Sequence, residues 1–252
     1  MKGLEYPFCF NTFIIYFCGL LKNILYKYIM VYIVPTPIGN LEDITLRALR
    51  ILKEASIIVA EDTRVIKHLL KQYAIPYPEI ISLHNANENT KVDFIIQKIK
   101  DVPVVAVVSD AGTPSISDPG YRIVNSCIES NIPFQTLPGA TAFVPALVNS
   151  GLPTHSFQFD GFLPHKKGRE TQIKSYQNIN HTVVLYESTH RIIKTLQQFK
   201  VWLGDDRLIS VSREISKMHE ETVRGTVAEV LAYYEKNITK GEFVIILGAA
   251  SS

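Results

Sequence analysis

Five short stretches of this 252-residue chain collect side chains able to do chemistry. "EDTR" sets Glu61 and Asp62 beside Arg64, directly after a β-branched run. Carboxylates at a strand end can take a proton from a reacting group, and they can equally cap the next helix, here one beginning near Thr63. Arg64 suits a substrate phosphate or a pairing with Glu61 or Asp62, and the sequence does not separate the two. In "HNANE", His84 and Glu88 stand four apart. Two ligands do not make a metal site and HExxH is absent, so no metal is expected. "HKKGRE" gathers Lys166, Lys167 and Arg169 around Gly168, which fits either a phosphate-contacting loop or a solvated charged surface. "ESTHR" adds His190 and Arg191 at the end of another apolar run, while Arg213, Glu214 and Glu220 in "REISKMHEETVRG" can be partners within a sheet.

Glycine- and proline-rich loops punctuate the same half of the chain as "EDTR". "PTPIGNLED" follows the first apolar run, "SDAGTPSISDPG" the fourth and "LPGATA" the fifth. Their glycines permit φ > 0 and close backbone approach, and exposed amides at helix starts can hold carbonyl or carboxylate groups of a ligand. Each loop alone fits a plain connector. Three at one end of a single sheet point to a ligand cleft. GxGxxG is absent after the first strand and GxxxxGK[ST] is absent throughout, so dinucleotide and P-loop geometries are excluded while a nucleoside without a diphosphate stays open.

The elements that must position these loops follow a regular rhythm. From Met30, short β-branched runs ("VYIV", "SIIVA", "EIISL", "VPVVAVVS", "IPFQTL") alternate with segments of helical periodicity ("ITLRALRILKEA", "VIKHLLKQY", "TKVDFIIQKIK", "YRIVNSCIES", "TAFVPALVNS"). Asp43 is placed to cap the first helix. Such alternation predicts a parallel sheet with helices on both faces and ligands at the carboxyl ends of its strands. Near Gly151 the rhythm breaks. "FQFDGF", "TVVLYES", "RLISVSREI", "EETVRGTV" and "EFVIILG" read as strands, two of them adjacent without a helix between, which predicts a mixed sheet. Two α/β domains are therefore expected, 30–150 and 151–252.

Bulk composition narrows little further. The net charge is +2, with 46% hydrophobic residues, as in ordinary globular proteins. Cys9, Cys18 and Cys127 show no CxxC spacing, which fits a reducing cytoplasm. Residues 1–29 form an apolar extension whose run is shorter than the ~20 residues of a membrane span, so no membrane partner is expected, and a mis-assigned start or a non-native tail is the expected origin.

"VPTPIGNLEDITLRALRILKEASIIVAEDTR", "SDAGTPSISDPG", "LPGATAFVPALVNSGLP", "FDGFLPHKKGRE" and "LYESTHRI" closely resemble the ribosomal small-subunit methyltransferase I family, a branch of the tetrapyrrole methylase superfamily. The resemblance runs in order from about Met30 to Gly248. It implies the two-domain class III methyltransferase fold, a parallel-sheet N-terminal and a mixed-sheet C-terminal domain with S-adenosylmethionine (SAM) in the cleft between them, and a cytoplasmic homodimer. It also implies methyl transfer to the ribose 2′-hydroxyl of a cytidine in the decoding centre of 16S rRNA, free or in the small ribosomal subunit. By the same resemblance Ser109, Asp110, Ala111, Gly112 and Thr113 wrap the cofactor, Pro37 and Gly39 belong to the loop after the first strand, and Gly139, Ala140 and Thr141 lie near the nucleoside. A ribose hydroxyl needs a proton acceptor, for which Glu61, Asp62 and Glu88 are the nearest carboxylates, with Arg64 beside them. Lys166, Lys167, Arg169 and Arg191 are the candidate RNA contacts. A tetrapyrrole-precursor methylase, or a SAM- or RNA-binding assembly factor without turnover, are the alternative readings.

Overall fold

The computed structural model describes residues 29–84, 87–237 and 239–250; apart from Ile29, the apolar extension expected over 1–29 lies outside them. Among the described residues there are two five-stranded sheets, one from each half of the chain.

The first sheet holds β1 (Met30–Ile33), β2 (Ile57–Ala60), β3 (Glu79–Ser82), β4 (Val104–Val108) and β5 (Phe134–Thr136) in the order β3-β2-β4-β1-β5, with every pairing parallel. Between them run α1 (Leu46–Glu54), α2 (Thr63–Gln72), α3 (Glu88–Ile99) and α4 (Tyr121–Glu129). Successive strand residues point to opposite faces. Val31, Ile33, Val59, Val105 and Val107 pack with α3 and α4, while Ile58, Ala60, Ala106 and Val108 pack with α1 and α2. All four residues of β2 are buried, as expected of a strand covered on both sides. The cap of α1 is Thr45, whose hydroxyl accepts from the Ala48 amide at 3.0 Å, not Asp43. Asp43 instead ends a 3-10 turn, Leu41–Asp43, capped by Asn40, and accepts a hydrogen bond from the Ser216 hydroxyl.

The second sheet holds β6 (Phe157–Phe162), β7 (Thr182–Ser188), β8 (Leu208–Arg213), β9 (Glu221–Thr226) and β10 (Glu242–Leu247) in the order β6-β7-β10-β8-β9. Only β6 and β7 pair in parallel; the other neighbours are antiparallel, so the sheet is mixed. One face buries Val183, Leu185, Val211 and Ile245 beneath α6 (Arg169–Ser175), α7 (Ile192–Leu203) and α8 (Val227–Tyr234). Its other face turns toward the first half of the chain. There α5 (Phe143–Asn149) packs Ala146 and Leu147 against Val184, Val244 and Ile246, so its contacts reach across the division placed near Gly151. No helix among the described residues is long and apolar enough to cross a membrane.

Candidate active site

Parallel strands deliver their following loops to one edge, and three of these loops are bonded to one another there. Thr36, after β1, and Gly112, after β4, exchange both backbone hydrogen bonds at 2.9 Å, and the Thr36 hydroxyl donates to the Ser109 carbonyl at 3.2 Å. The Thr113 hydroxyl donates to the Ala140 carbonyl at 3.0 Å and lies 2.7 Å from the Thr141 hydroxyl, which joins the loops after β4 and β5. Gly112 has φ 81°, a conformation that favours glycine. At Gly139 an added Cβ would fall 2.6 Å from Cβ of Pro35, so the third loop presses directly on the first. Ser115 and Ser117 are also left-handed, at φ 74° and 63°, a strain of the kind that clusters at ligand sites.

Between these loops and the second sheet lies a cavity of about 550 Å³, within the range of small-molecule sites. Asp110, Ala111, Gly112, Thr113 and Thr141 line it, as does Glu61. Ser109 is buried behind the wall, and the Ala140 backbone braces it. Pro37 and Gly39 flank the lining residue Ile38 without lining the cavity themselves. Gly39 meets the Lys217 stem from the loop between β8 and β9: a Cβ there would overlap Cγ of Lys217. Lys217 is in turn held by Glu214 and Glu242, each at 2.8 Å, and Glu220 accepts from the Ser216 amide at 2.7 Å. Glu214 and Glu220 are thus structural partners of this loop, as Arg213 is of Glu221.

Carboxylates dominate the charge of the cavity: Glu61, Asp110, Asp118, Glu187 and Glu242 line it, and no lysine or arginine does among the described residues. Burial raises the pKa of Glu61, and the neighbouring Asp110 adds to the effect. Asp118 is pushed up to about 7, first by burial and then by Glu61, with the Ser109 hydroxyl offsetting part of the rise and Asp110 and Glu242 adding to it. Sequence reasoning does not single out Asp118. Its only signal there is a carboxylate in a loop following the carboxyl end of a central strand.

The remaining candidates divide. Asp62 caps α2 through the Arg64 amide at 2.8 Å and pairs with the Arg64 guanidinium, whose hydrogen bond holds its carboxyl down at about 2. It lies outside the main cavity, in an adjoining depression with Glu61, Ser82 and His84. Arg64 is 88% exposed and its partner is Asp62. Glu88 is the first residue of α3, and its side chain lies outside the described residues. Among the described residues no three His, Cys, Asp or Glu side chains are grouped to hold a metal ion.

Arg169 is corrected outright as an RNA contact. It is 5% exposed and points inward, donating to Thr195 Oγ1 at 2.5 Å and to Gln198 at 2.7 Å, with Glu187 at 3.4 Å. A buried carboxylate requires compensation, and Glu187 receives it from Arg169 on one oxygen and from Arg191 at 2.8 Å on the other. Both arginines also grip the strand end beside them: Arg191 donates to the Leu163 carbonyl and Arg169 to that of Pro164, each at 3.2 Å. Lys166 and Lys167 lie exposed on the loop so anchored, while His190 lines the cavity.

Residues 30–231 match the family of tetrapyrrole (corrin/porphyrin) methylases. The ribosomal RNA small subunit methyltransferase I of Hydrogenobaculum sp. is 46% identical over 217 residues, covering 86% of this chain and 94% of that protein. The protein of the same name from Halalkalibacterium halodurans is also 46% identical, covering 86% of this chain and 74% of its own length. Among solved structures, the uroporphyrin-III C-methyl transferase of Thermus thermophilus complexed with S-adenyl homocysteine superposes with a TM-score of 0.60 at 23% identity, covering 87% of this chain and 97% of that one.

Proposed function

This chain belongs to the ribosomal RNA small subunit methyltransferase I family of the tetrapyrrole methylases, and from that premise we propose that it transfers a methyl group from SAM to the ribose 2′-hydroxyl of a cytidine in small-subunit rRNA. The observation that carries the reading is the carboxylate-lined cavity at the joined loops after β1, β4 and β5. Its lining fits a donor whose sulfonium and ammonium groups are cationic. When bound, SAM supplies a methyl group already activated by the positive sulfur.

The chain's own residues then have positioning, shielding and proton transfer to perform. Gly112 permits close backbone approach, and the Thr113–Thr141 contact fixes the wall on either side of it. Tyr186 and Ile215 supply apolar surface that excludes water from the reacting groups. A ribose hydroxyl becomes a competent nucleophile only as its proton leaves, and an acceptor works best with a pKa near the operating pH. Asp118 meets that condition and takes the proton on its carboxylate; burial, and after it the neighbouring Glu61, keeps its pKa high. Lys166 and Lys167 contact the phosphates of the polyanionic substrate. The proposal includes a homodimer acting in the cytoplasm, in line with the family resemblance.

Methyl-labelled SAM, incubated with small subunits lacking the modification, with free 16S rRNA and with a porphyrinoid precursor, tests the reading. Label in a nuclease-resistant, 2′-O-methylated dinucleotide is expected. Label confined to the porphyrinoid overturns it.

A further inference from the structure

Strand β6 contains an irregularity with a direct effect on the cavity. Its pairing with β7 runs Phe159 to Val184, then skips Asp160, so that Gly161 faces Leu185 and Phe162 faces Tyr186. Without that bulge, Phe162 would share a face with Leu185, which lies in the core beneath α6, α7 and α8. A one-residue shift moves a side chain to the opposite face, and bulges next to active sites re-aim side chains in this way. Here Phe162 joins Phe159 and Tyr186 on the face that meets the first half of the chain. Gly161 makes the bulge possible: it has φ 60°, and a Cβ there would sit 2.8 Å from the Ser117 hydroxyl of the cavity loop.

The re-aimed ring is half exposed, at 50%, yet it lines the cavity. Tyr186 supports it from one side, with ring centroids 5.6 Å apart, and the Arg191 guanidinium sits 6.0 Å from its centroid. The residues that follow it, Leu163 and Pro164, are pinned by the two arginines compensating Glu187. A rigid, partly exposed aromatic at the cavity, followed within five residues by Lys166 and Lys167, combines a stacking surface with phosphate-attracting charge. Single-stranded RNA is commonly held by that pairing, with unstacked bases laid on aromatic rings.

We propose that Phe162 is the stacking platform for the target base, receiving a pyrimidine turned out of the RNA so that its ribose hydroxyl enters the cavity. This rests on the rRNA methyltransferase reading above. The ring contributes to RNA binding and orientation and makes no contribution to SAM affinity.

The test compares wild type with Phe162→Leu, Phe162→Tyr and Phe162→Trp in three measurements. These are steady-state methylation of unmodified small subunits, calorimetric SAM affinity, and fluorescence of an rRNA fragment carrying pyrrolocytidine at the target position. The expected result is that Phe162→Leu raises KM for RNA roughly ten-fold, as loss of one base–aromatic stack implies, and loses the fluorescence quenching seen with wild type. SAM affinity stays unchanged, and at least one aromatic variant restores both KM and quenching. Wild-type KM and quenching in Phe162→Leu, rescue by neither aromatic, or a parallel fall in SAM affinity each overturns the proposal. If wild type itself does not methylate a cytidine 2′-hydroxyl, the rRNA reading fails and this inference falls with it; active wild type with an unaffected Phe162→Leu removes the inference alone.

Discussion

The Thr113 hydroxyl lies 2.7 Å from the Thr141 hydroxyl and donates to the Ala140 carbonyl, so one side chain ties the loop after β4 to the loop after β5. Thr113→Val keeps the shape of the side chain and removes both hydrogen bonds, leaving a partly buried carbonyl short of a partner. The expected cost is about 1–3 kcal/mol of stability, with SAM affinity reduced several-fold because the wall loses its brace. Urea unfolding and calorimetry read the two effects separately, and full affinity in the destabilised variant would show that the brace does not shape the site.

Charged residues in "HKKGRE" separate into two kinds by direction, not by type. Arg169 compensates a buried carboxylate, so Arg169→Met should destabilise the fold by about 3 kcal/mol, the low end for breaking a buried pair, since Arg191 still holds the other oxygen of Glu187. The double variant Lys166→Ala, Lys167→Ala should stay within about 0.5 kcal/mol of wild type in stability. Its RNA affinity should drop, with the salt slope shallower by about 1.4, at about 0.7 for each single-strand phosphate no longer neutralised. Thermal unfolding beside a salt titration of RNA binding distinguishes them, and an unchanged slope would make both lysines mere surface.

Asp118 sets a pH dependence of definite sign. Its folded pKa, about 7, lies above the ordinary value of 3.8, so between those limits the folded chain holds a proton that the unfolded chain has lost. Stability from this group therefore declines as pH rises from about 4 to 7 and is level above. Asp118→Asn should remove that decline, making the variant more stable than wild type near pH 8 and little different near pH 4. Activity should move the other way: wild-type kcat/KM rises with a midpoint near 7, and the variant loses that limb. Denaturation curves and rate profiles across pH check both, and a retained limb in the variant assigns proton transfer to another group.

Much of the fold was legible because it rests on periodicity. Five β-branched runs separated by helical segments leave few options besides a parallel sheet with its loops at one edge, and the structure has that sheet. The direction in which a residue points was far less legible. Arg169 reads as one of three basic residues in a loop, and its inward partners Glu187, Thr195 and Gln198 all lie 18 or more positions away. Asp43 and Thr45 both suit a helix start, and the choice depends on the 3-10 turn preceding α1. Helix α5 is seven residues long, too short for its apolar positions to declare which sheet they cover. Asp118 owes its raised pKa first to burial and then to Glu61, Asp110 and Glu242, which the fold brings beside it and no local pattern records. The bulge that turns Phe162 toward the cavity is equally invisible in an alternating strand pattern.

The central claim is that the joined loops after β1, β4 and β5 and the facing sheet enclose the methyl donor. A crystal structure of the protein with SAM or its demethylated product tests this most directly. The account predicts the ligand within the cavity, touching the backbone of Asp110 to Thr113 with its cationic groups toward Asp110 and Asp118. Density for the ligand outside that cavity, or loops that separate on binding, would contradict it.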